Sequence, residues 1–276
     1  MAAVKEIKSR QESIRNIFQI TKAMKLVSTV RLQKVREKAE QYKPYQTALF
    51  EMMQGLIERM HLQEDENKQD RKKAVVFFTS NRGLAGGYHF RLVKQLMEKG
   101  FQKEYTQLYV IGTKGRDALK AKGYQIKEDL SEQLKTFDRK DAKILAKELV
   151  AAFLNKEVDA IYLSYMEFYH PVKQVPRICE VLPDMSRILY QKIEEFECLE
   201  EQEFADFFVD YLQEMLYGAV LEAAASENGA RLTAMDAASK NAQDLLEQLS
   251  LEYHQARQRI ITQELTEMIG SIGGIV

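Results

Sequence analysis

From Phe204 to Gly270 the chain reads as one uninterrupted helix, and no proline breaks it. Apolar or small residues recur every three to four positions: Phe204, Phe208, Tyr211, Met215, Ala219, Ala223, Ser226, Ala230, Thr233, Ala237, Asn241, Leu245, Leu249, Tyr253, Ala256 and Ile260. At 1.5 Å of rise per residue such a helix is on the order of 100 Å long. A compact domain of this chain length is roughly 50 Å across. The helix is therefore expected to extend beyond a globular body, as a shaft, tether or lever. After Glu267 the sequence MIGSIGGIV carries no side-chain charge. An uncharged apolar end implies a socket in a partner.

The first segment supplies a mate for that helix. Ile7, Ile14, Thr21, Ser28, Val35, Tyr42, Leu49 and Leu56 stand at strict seven-residue spacing, the mark of a coiled-coil seam. Ile17, Met24, Tyr45 and Met52 are read as the companion row, although Arg10, Arg31 and Lys38 fall in it too. Charge supports pairing within the chain. Residues 1–43 hold eleven Lys/Arg against four Glu, a net of +7; residues 200–276 hold four against fourteen acids, a net of −10. Opposite helices attract and like helices repel. Two separate amphipathic helices on a globular core are the alternative. Pro44 inside the first pattern should kink or restart that helix.

The middle of the chain changes period. Residues 61–73 are polar and charged and read as a linker. AVVFFT (74–79), LYVIG (108–112) and VDAIYLSYMEF (158–168) are short β-rich runs, separated by helical stretches near 88–98, 114–122 and 139–155. That alternation predicts an α/β domain with a parallel-type sheet covered on both faces. QVPRICEVLP (174–183) fits an edge strand, because Pro176 has no N–H for a ladder. The resulting division is 1–60, an N-terminal coiled-coil helix; 74–195, a Rossmann-like α/β domain; and 204–276, a C-terminal coiled-coil helix. The two terminal helices are expected to form a long antiparallel coiled coil.

Chemistry is sparse. No apolar stretch is long enough to span a bilayer, and the charged N-terminal residues do not form a secretory signal. Cys179 and Cys198 make neither a disulfide framework nor a metal cluster. The basic first helix has its counter-charge in the same chain, which argues against nucleic acid. SNRGLAGGYHF (80–90) follows a strand and opens a helix, the place where glycine loops hold phosphates. It lacks the Gly-x-Gly-x-x-Gly spacing, the Walker lysine and an acidic ribose partner. Gly83, Gly86 and Gly87 are read instead as permitting a tight turn. His61, His89, His170 and His254 are scattered, and no catalytic residues, cofactor or metal ligands are expected.

QITKAMKLVSTVRL (19–32), SNRGLAGGY (80–88), ASENGARLTAMDAASKNA (225–242) and LEYHQARQRIITQELTEMIG (251–270) stand in that order. Together they resemble the gamma subunit family of F-type rotary ATP synthases, over the whole chain. The resemblance implies a non-catalytic rotor shaft that couples rotation of a membrane ring, driven by protons or sodium, to ATP synthesis or hydrolysis. Its implied partners are the alpha and beta subunits of the catalytic hexamer, the epsilon subunit and the membrane c-subunit ring, with one gamma copy per complex. The implied location is the bacterial inner membrane, peripheral on the cytoplasmic side.

Five positions carry over as partner contacts. Met24 matches a residue near the acidic lever loop of a beta subunit, and is equally readable as a coiled-coil core residue. Arg231 matches an arginine at the same level, and is otherwise a solvated helix charge; Arg231→Glu is expected to weaken coupling in the assembled enzyme more than folding. Gln258, Thr262 and Glu264 match polar residues touching the catch loops of the ring. Gln258 and Thr262 share a face, and Glu264 lies roughly 200° further round. The paired-cysteine insert of chloroplast-type relatives is missing, and SIGGIV is richer in glycine than the family's usual end. A coiled-coil adaptor with an α/β interaction module and a nucleotide-binding α/β enzyme are the other classes considered.

Overall fold

The computed structural model describes residues 2–59, 71–182 and 201–273. The elements run α1 (Ala2–Arg59), β1 (Lys73–Phe78), α2 (Tyr88–Glu98), β2 (Thr106–Ile111), α3 (Thr113–Ala121), β3 (Ile126–Asp129), α4 (Arg139–Leu154), β4 (Ala160–His170), β5 (Lys173–Leu182) and α5 (Glu201–Gly273). The chain divides into two compact units, one of Met1–Ser28 with Leu232–Val276 and the other of Thr29–Arg231.

The Thr29–Arg231 unit is built on a five-stranded sheet of order β3-β2-β1-β4-β5. β1 pairs in parallel with β2 and β4, β2 with β3 likewise, and β5 is an antiparallel edge. Pro176 lies in that edge strand, as its missing N–H requires. β1 alternates between faces. Ala74, Val76 and Phe78 enter a core with α4, Met53 of α1 and α5 residues Phe208 to Ala223. Val75 and Phe77 enter a second core with α2, α3 and Ala230. Buried on both sides, the central strands read as continuous apolar runs. β3 is short, polar and only half covered, so no apolar run announced it. α4 starts at a capping box: Asp138 accepts from Lys140 N at 2.7 Å and Asp141 N at 3.2 Å, while Asp141 accepts from Asp138 N at 3.1 Å.

α1 runs through Pro44 without restarting. Flanking side chains hold it to α5. The Tyr42 hydroxyl donates to the Glu214 carboxylate, and Gln46 Nε2 to Met215 O at 3.3 Å. Within this unit Lys43 meets Glu222 and Gln46 meets Met215, so the helices run antiparallel. In the other unit, Thr21 meets Ser239 at 2.9 Å and Lys25 meets Asp236 at 2.5 Å, again antiparallel.

The strict heptad row from Ile7 to Leu49 is at least half-buried throughout. Its companion is not the row of Ile17, Met24, Tyr45 and Met52. It is Val4, Gln11, Phe18, Lys25, Leu32, Ala39, Gln46 and Met53, one residue later. A heptad seam alternates steps of three and four, and either order satisfies the spacing. Small or polar members suit the real row because α5 lies close there: a Cβ on Gly218 would strike the Gln46 side chain. Ile17, Tyr45 and Met52 are exposed instead. On α5 the pattern also slips. Thr233, Ala237, Asn241 and Leu245 are exposed, whereas Met235 and Ala242 are buried. The backbone stays helical to Gly273, beyond Gly270, where glycine content was expected to disfavour helix. His61 and most of the 61–73 linker, Cys198 and residues 274–276 lie outside the described residues; the side chains of the 269–273 tip do too.

Two outcomes follow from this packing. Thr21→Cys with Ser239→Cys should give an intramolecular disulfide on mild oxidation, seen as a mobility shift of the monomer on non-reducing gels. Bands at dimer mass alone would contradict the pairing. Second, burial and then Glu148 push the Glu128 carboxyl up to about 7. A carboxyl raised in the folded state binds more protons folded than unfolded, so its contribution is favourable at acid pH and is lost as pH rises through about 7. Glu128→Gln should therefore raise the melting temperature at pH 8 and make little difference at pH 5, as scanning calorimetry would read.

Candidate functional site

Strand order reverses direction between β1 and β4. In open α/β sheets, ligands bind outside the carboxyl ends of the strands at such a point. Here the chain's own α5 occupies it. Ser226 Oγ donates to Met166 O at 2.8 Å, and Glu222 Oε2 accepts from Phe168 N at 2.8 Å, both at the far end of β4. Tyr88 OH, at the start of α2, donates to Ala223 O at 3.2 Å. A Cβ on Gly229 would lie 3.1 Å from Phe168 Cε2. Small residues are what let the helix fit so close.

The glycine loop is shaped differently from its sequence reading. Only Gly86 takes a left-handed backbone (φ 56°), and Leu84 does so as well, at 61°. Gly87 has open space where a Cβ would stand, and Gly83 has only Lys114 Cε at 4.0 Å. The glycines that must stay glycine are Gly112, just before α3, and Gly115 in its first turn. A Cβ on either would collide with Thr79, whose Oγ1 accepts from Gly115 N at 3.1 Å.

Arg231 is neither solvated nor on the surface; its side chain is 5% exposed. Its Nη2 donates to Glu227 Oε1 at 2.6 Å and to Arg82 O at 3.3 Å, and its Nε to Gly83 O at 3.3 Å. Ser80 Oγ donates to the same Arg82 carbonyl at 2.7 Å. Burial raises the Glu227 pKa, and Arg231 pulls it back. An internal carboxylate and guanidinium thus sit over the loop. His89 beside them is held below its usual pKa, first by burial.

A second polar node lies on the other side of α5. Lys43 Nζ is 3.2 Å from Glu167 and 3.5 Å from Glu222, and Arg177 is 3.5 Å from Glu167. These four line a cavity of about 140 Å³ with Gln46 and Tyr165. Each charge there is already paired. Cys179, on the same wall, has its thiol pushed up to about 11 by burial, which makes it unreactive.

Of the five expected contact residues, Arg231 belongs to the Thr29–Arg231 unit and the other four to the second unit. Met24 is half-buried beside the seam. Gln258 and Thr262 share a face with Gln255, Arg259 and Gln263 around a shallow open hollow. Glu264 is exposed two residues on. In the same unit Ile17, Ile20 and Val27 form an exposed apolar row on α1, 47–58% accessible. Ile20 and Val27 were not singled out from sequence. Spacing alone could have found them, since 17, 20, 24 and 27 make a second helical face. Among the described residues, no helix is long and apolar enough to cross a membrane, and no His/Cys/Asp/Glu group could hold a metal.

The comparisons agree with one another along the chain. The family described as ATP synthase matches residues 3–274. The ATP synthase gamma chain of Lachnoclostridium phytofermentans is 40% identical, covering 100% of both chains. The ATP synthase gamma chain, sodium ion specific, of Acetobacterium woodii is 30% identical, covering 97% of each. Among solved structures, a chain of the Euglena gracilis mitochondrial ATP synthase (OSCP/F1/c-ring) superposes with a TM-score of 0.74. At 18% identity it covers 99% of this chain and 95% of that one, and it supports the fold.

Because Arg231 is buried against Glu227, reversing its charge should not spare folding. Arg231→Glu would place two buried carboxylates together and leave the Gly83 carbonyl without its donor. Breaking a buried pair costs about 3–5 kcal/mol. Urea unfolding of the free chain should show a loss of that order. A change below about 0.5 kcal/mol, the usual surface value, would return Arg231 to the solvent.

Proposed function

The chain belongs to the ATP synthase gamma family, and from that membership we propose that it is the central rotor shaft of an F-type ATP synthase. It couples rotation of a membrane ring driven by protons or sodium to changes at the catalytic beta subunits, for ATP synthesis or hydrolysis. It contributes no catalytic residue. Its three parts are the 1–60 helix, the 74–195 α/β domain and the 204–276 helix. The helices work inside a ring of alpha and beta subunits. The α/β domain works with the epsilon subunit on the c-subunit ring. There is one copy per complex, peripheral to the cytoplasmic side of a bacterial inner membrane.

One observation supports this above the others. The unit of Met1–Ser28 with Leu232–Val276 carries the apolar row Ile17, Ile20, Val27 and the polar set Gln258, Thr262, Glu264, all left uncovered by the chain itself. An apolar row with nothing on it needs a partner. Polar groups pointing in several directions suit an encircling one. Met24, half-buried at the edge of the row, is proposed to face a beta-subunit loop. Arg231 contributes at this level through the loop it holds. A coiled-coil adaptor with an α/β module is the second reading. The nucleotide-binding reading is weakened because α5 fills the crevice.

Co-expression with alpha and beta subunits tests the proposal. The chain should co-purify at one copy per six-membered ring, and the free chain should retain no ATP or ADP in equilibrium dialysis. Gln258→Ala with Thr262→Ala should lower ATP turnover more than assembly, because those contacts are directional. Truncation after Met268 should loosen assembly and leave turnover. A chain that never joins the ring supports the adaptor, and tight ATP binding supports the enzyme. An assembled truncation without turnover, beside a normal double alanine variant, reverses the division of labour.

A further inference from the structure

Phe208 to Val220 anchor α5 in the core with large side chains, but toward Arg231 it meets the α/β layers through small ones, Ala223, Ser226, Gly229 and Ala230. A smooth apolar contact resists separation, but it is non-directional and opposes sliding or twisting weakly. Directional bonds must do that. At the end of this contact the Arg231 guanidinium forks across three acceptors, Glu227 Oε1 on its own helix and the carbonyls of Arg82 and Gly83 in the loop after β1. Ser80 Oγ donates to the same Arg82 carbonyl at 2.7 Å, bracing the loop from its own side. An i,i+4 ion pair on one helix ordinarily fastens nothing else. Here Arg231 also reaches the loop, and both members are largely withdrawn from water, at 5% and 17% exposure. The fork is rigid and fixed in plane, so the loop cannot shift along or around α5 without breaking several bonds at once.

Resting on the rotor reading, we propose that Glu227 and Arg231 are positioning residues that lock the α/β layers to α5, so that torque applied to one leaves through the other. Glu227 needs no contact with any partner subunit to do this. It acts by holding the Arg231 fork.

The test uses the complete membrane complex carrying Glu227→Ala, with Glu227→Gln as a second variant that keeps the side-chain shape. Amide exchange at Asn81 to Leu84 should quicken about 100-fold in Glu227→Ala, as local opening becomes easier. ATP hydrolysis by the catalytic ring and rotor, detached from the membrane part, should stay within about twofold, since the α/β layers need not carry load there. Ion pumping per ATP hydrolysed in the complete complex should fall about tenfold, with Glu227→Gln in between. A merely structural role would lower the amount of complex and leave that ratio alone. Unchanged exchange, or faster exchange with an unchanged pumping ratio, overturns the lock. If Glu227→Ala does not fold, the same two measurements on Glu227→Gln decide. The rotor reading fails separately, when the wild-type chain does not join the ring.

Discussion

The close approach of α5 is the constraint on which the rest depends. Between Phe208 and Arg231 this helix is covered nearly all the way round, by α1, by the sheet and by the loops at the strand ends. A helix enclosed in this way must be apolar, small or internally paired on every face, as Glu222 and Arg231 are. Gly218 admits the Gln46 side chain, and Gly229 admits Phe168 and the β4–β5 turn. Glycine inside a helix gives up some stability, about 1 kcal/mol each. That loss is offset by burial on all sides, and it brings a rigid rod to the place where a nucleotide-binding sheet would hold its ligand.

A smooth interface leaves register and rotation undecided, and polar groups decide them. Arg139 stacks over Tyr42 and Tyr217 and pairs with Glu214 at 3.4 Å, tying α4 to both helices. Lys43 joins α1 to Glu222 on α5 and to Glu167 on β4. Glu227 and Arg231 join α5 to the glycine loop. Such pairs add little net stability, because desolvation cancels much of their attraction, but each becomes costly when mismatched. Their distribution fits a body that must not slip. In the other unit the cross-helix polar contacts Thr21–Ser239 and Lys25–Asp236 set the pairing with fewer constraints.

Much of this fold was legible because its signals are local. The apolar runs at 74–79, 108–112 and 158–168 all lie on strands, and the charge split matches the antiparallel helices. β3 escaped because four half-exposed residues, Ile126 to Asp129, carry no apolar run. Arg231 escaped for a different reason. A lone arginine in a helix has no sequence mark that separates a solvated charge from one buried under a distant loop, and Arg82 and Gly83 lie about 150 positions away. The glycine loop misled in the same way. Gly83 and Gly87 looked structural, whereas the steric demand falls on Gly112 and Gly115 because Thr79 folds over them.

The misplaced heptad row is the most informative of these differences. From the row of Ile7, Ile14 and Thr21, a seam can step four residues forward or three, and α1 has usable residues in both rows. The row at four faces α5 and holds Val4, Phe18, Leu32 and Met53 with a single charge, Lys25, whereas the row at three interrupts Ile17, Met24, Tyr45 and Met52 with Arg10, Arg31 and Lys38. Ile17 and Tyr45 are exposed. Burial of apolar area therefore favours the row at four, and Gln46 within it lies against Gly218, where a side chain on α5 would strike it. The large apolar residues left over on α1 then need another cover. α1 thus has one seam for its own chain and, beside it, the exposed apolar row of Ile17, Ile20 and Val27 that its own chain leaves uncovered.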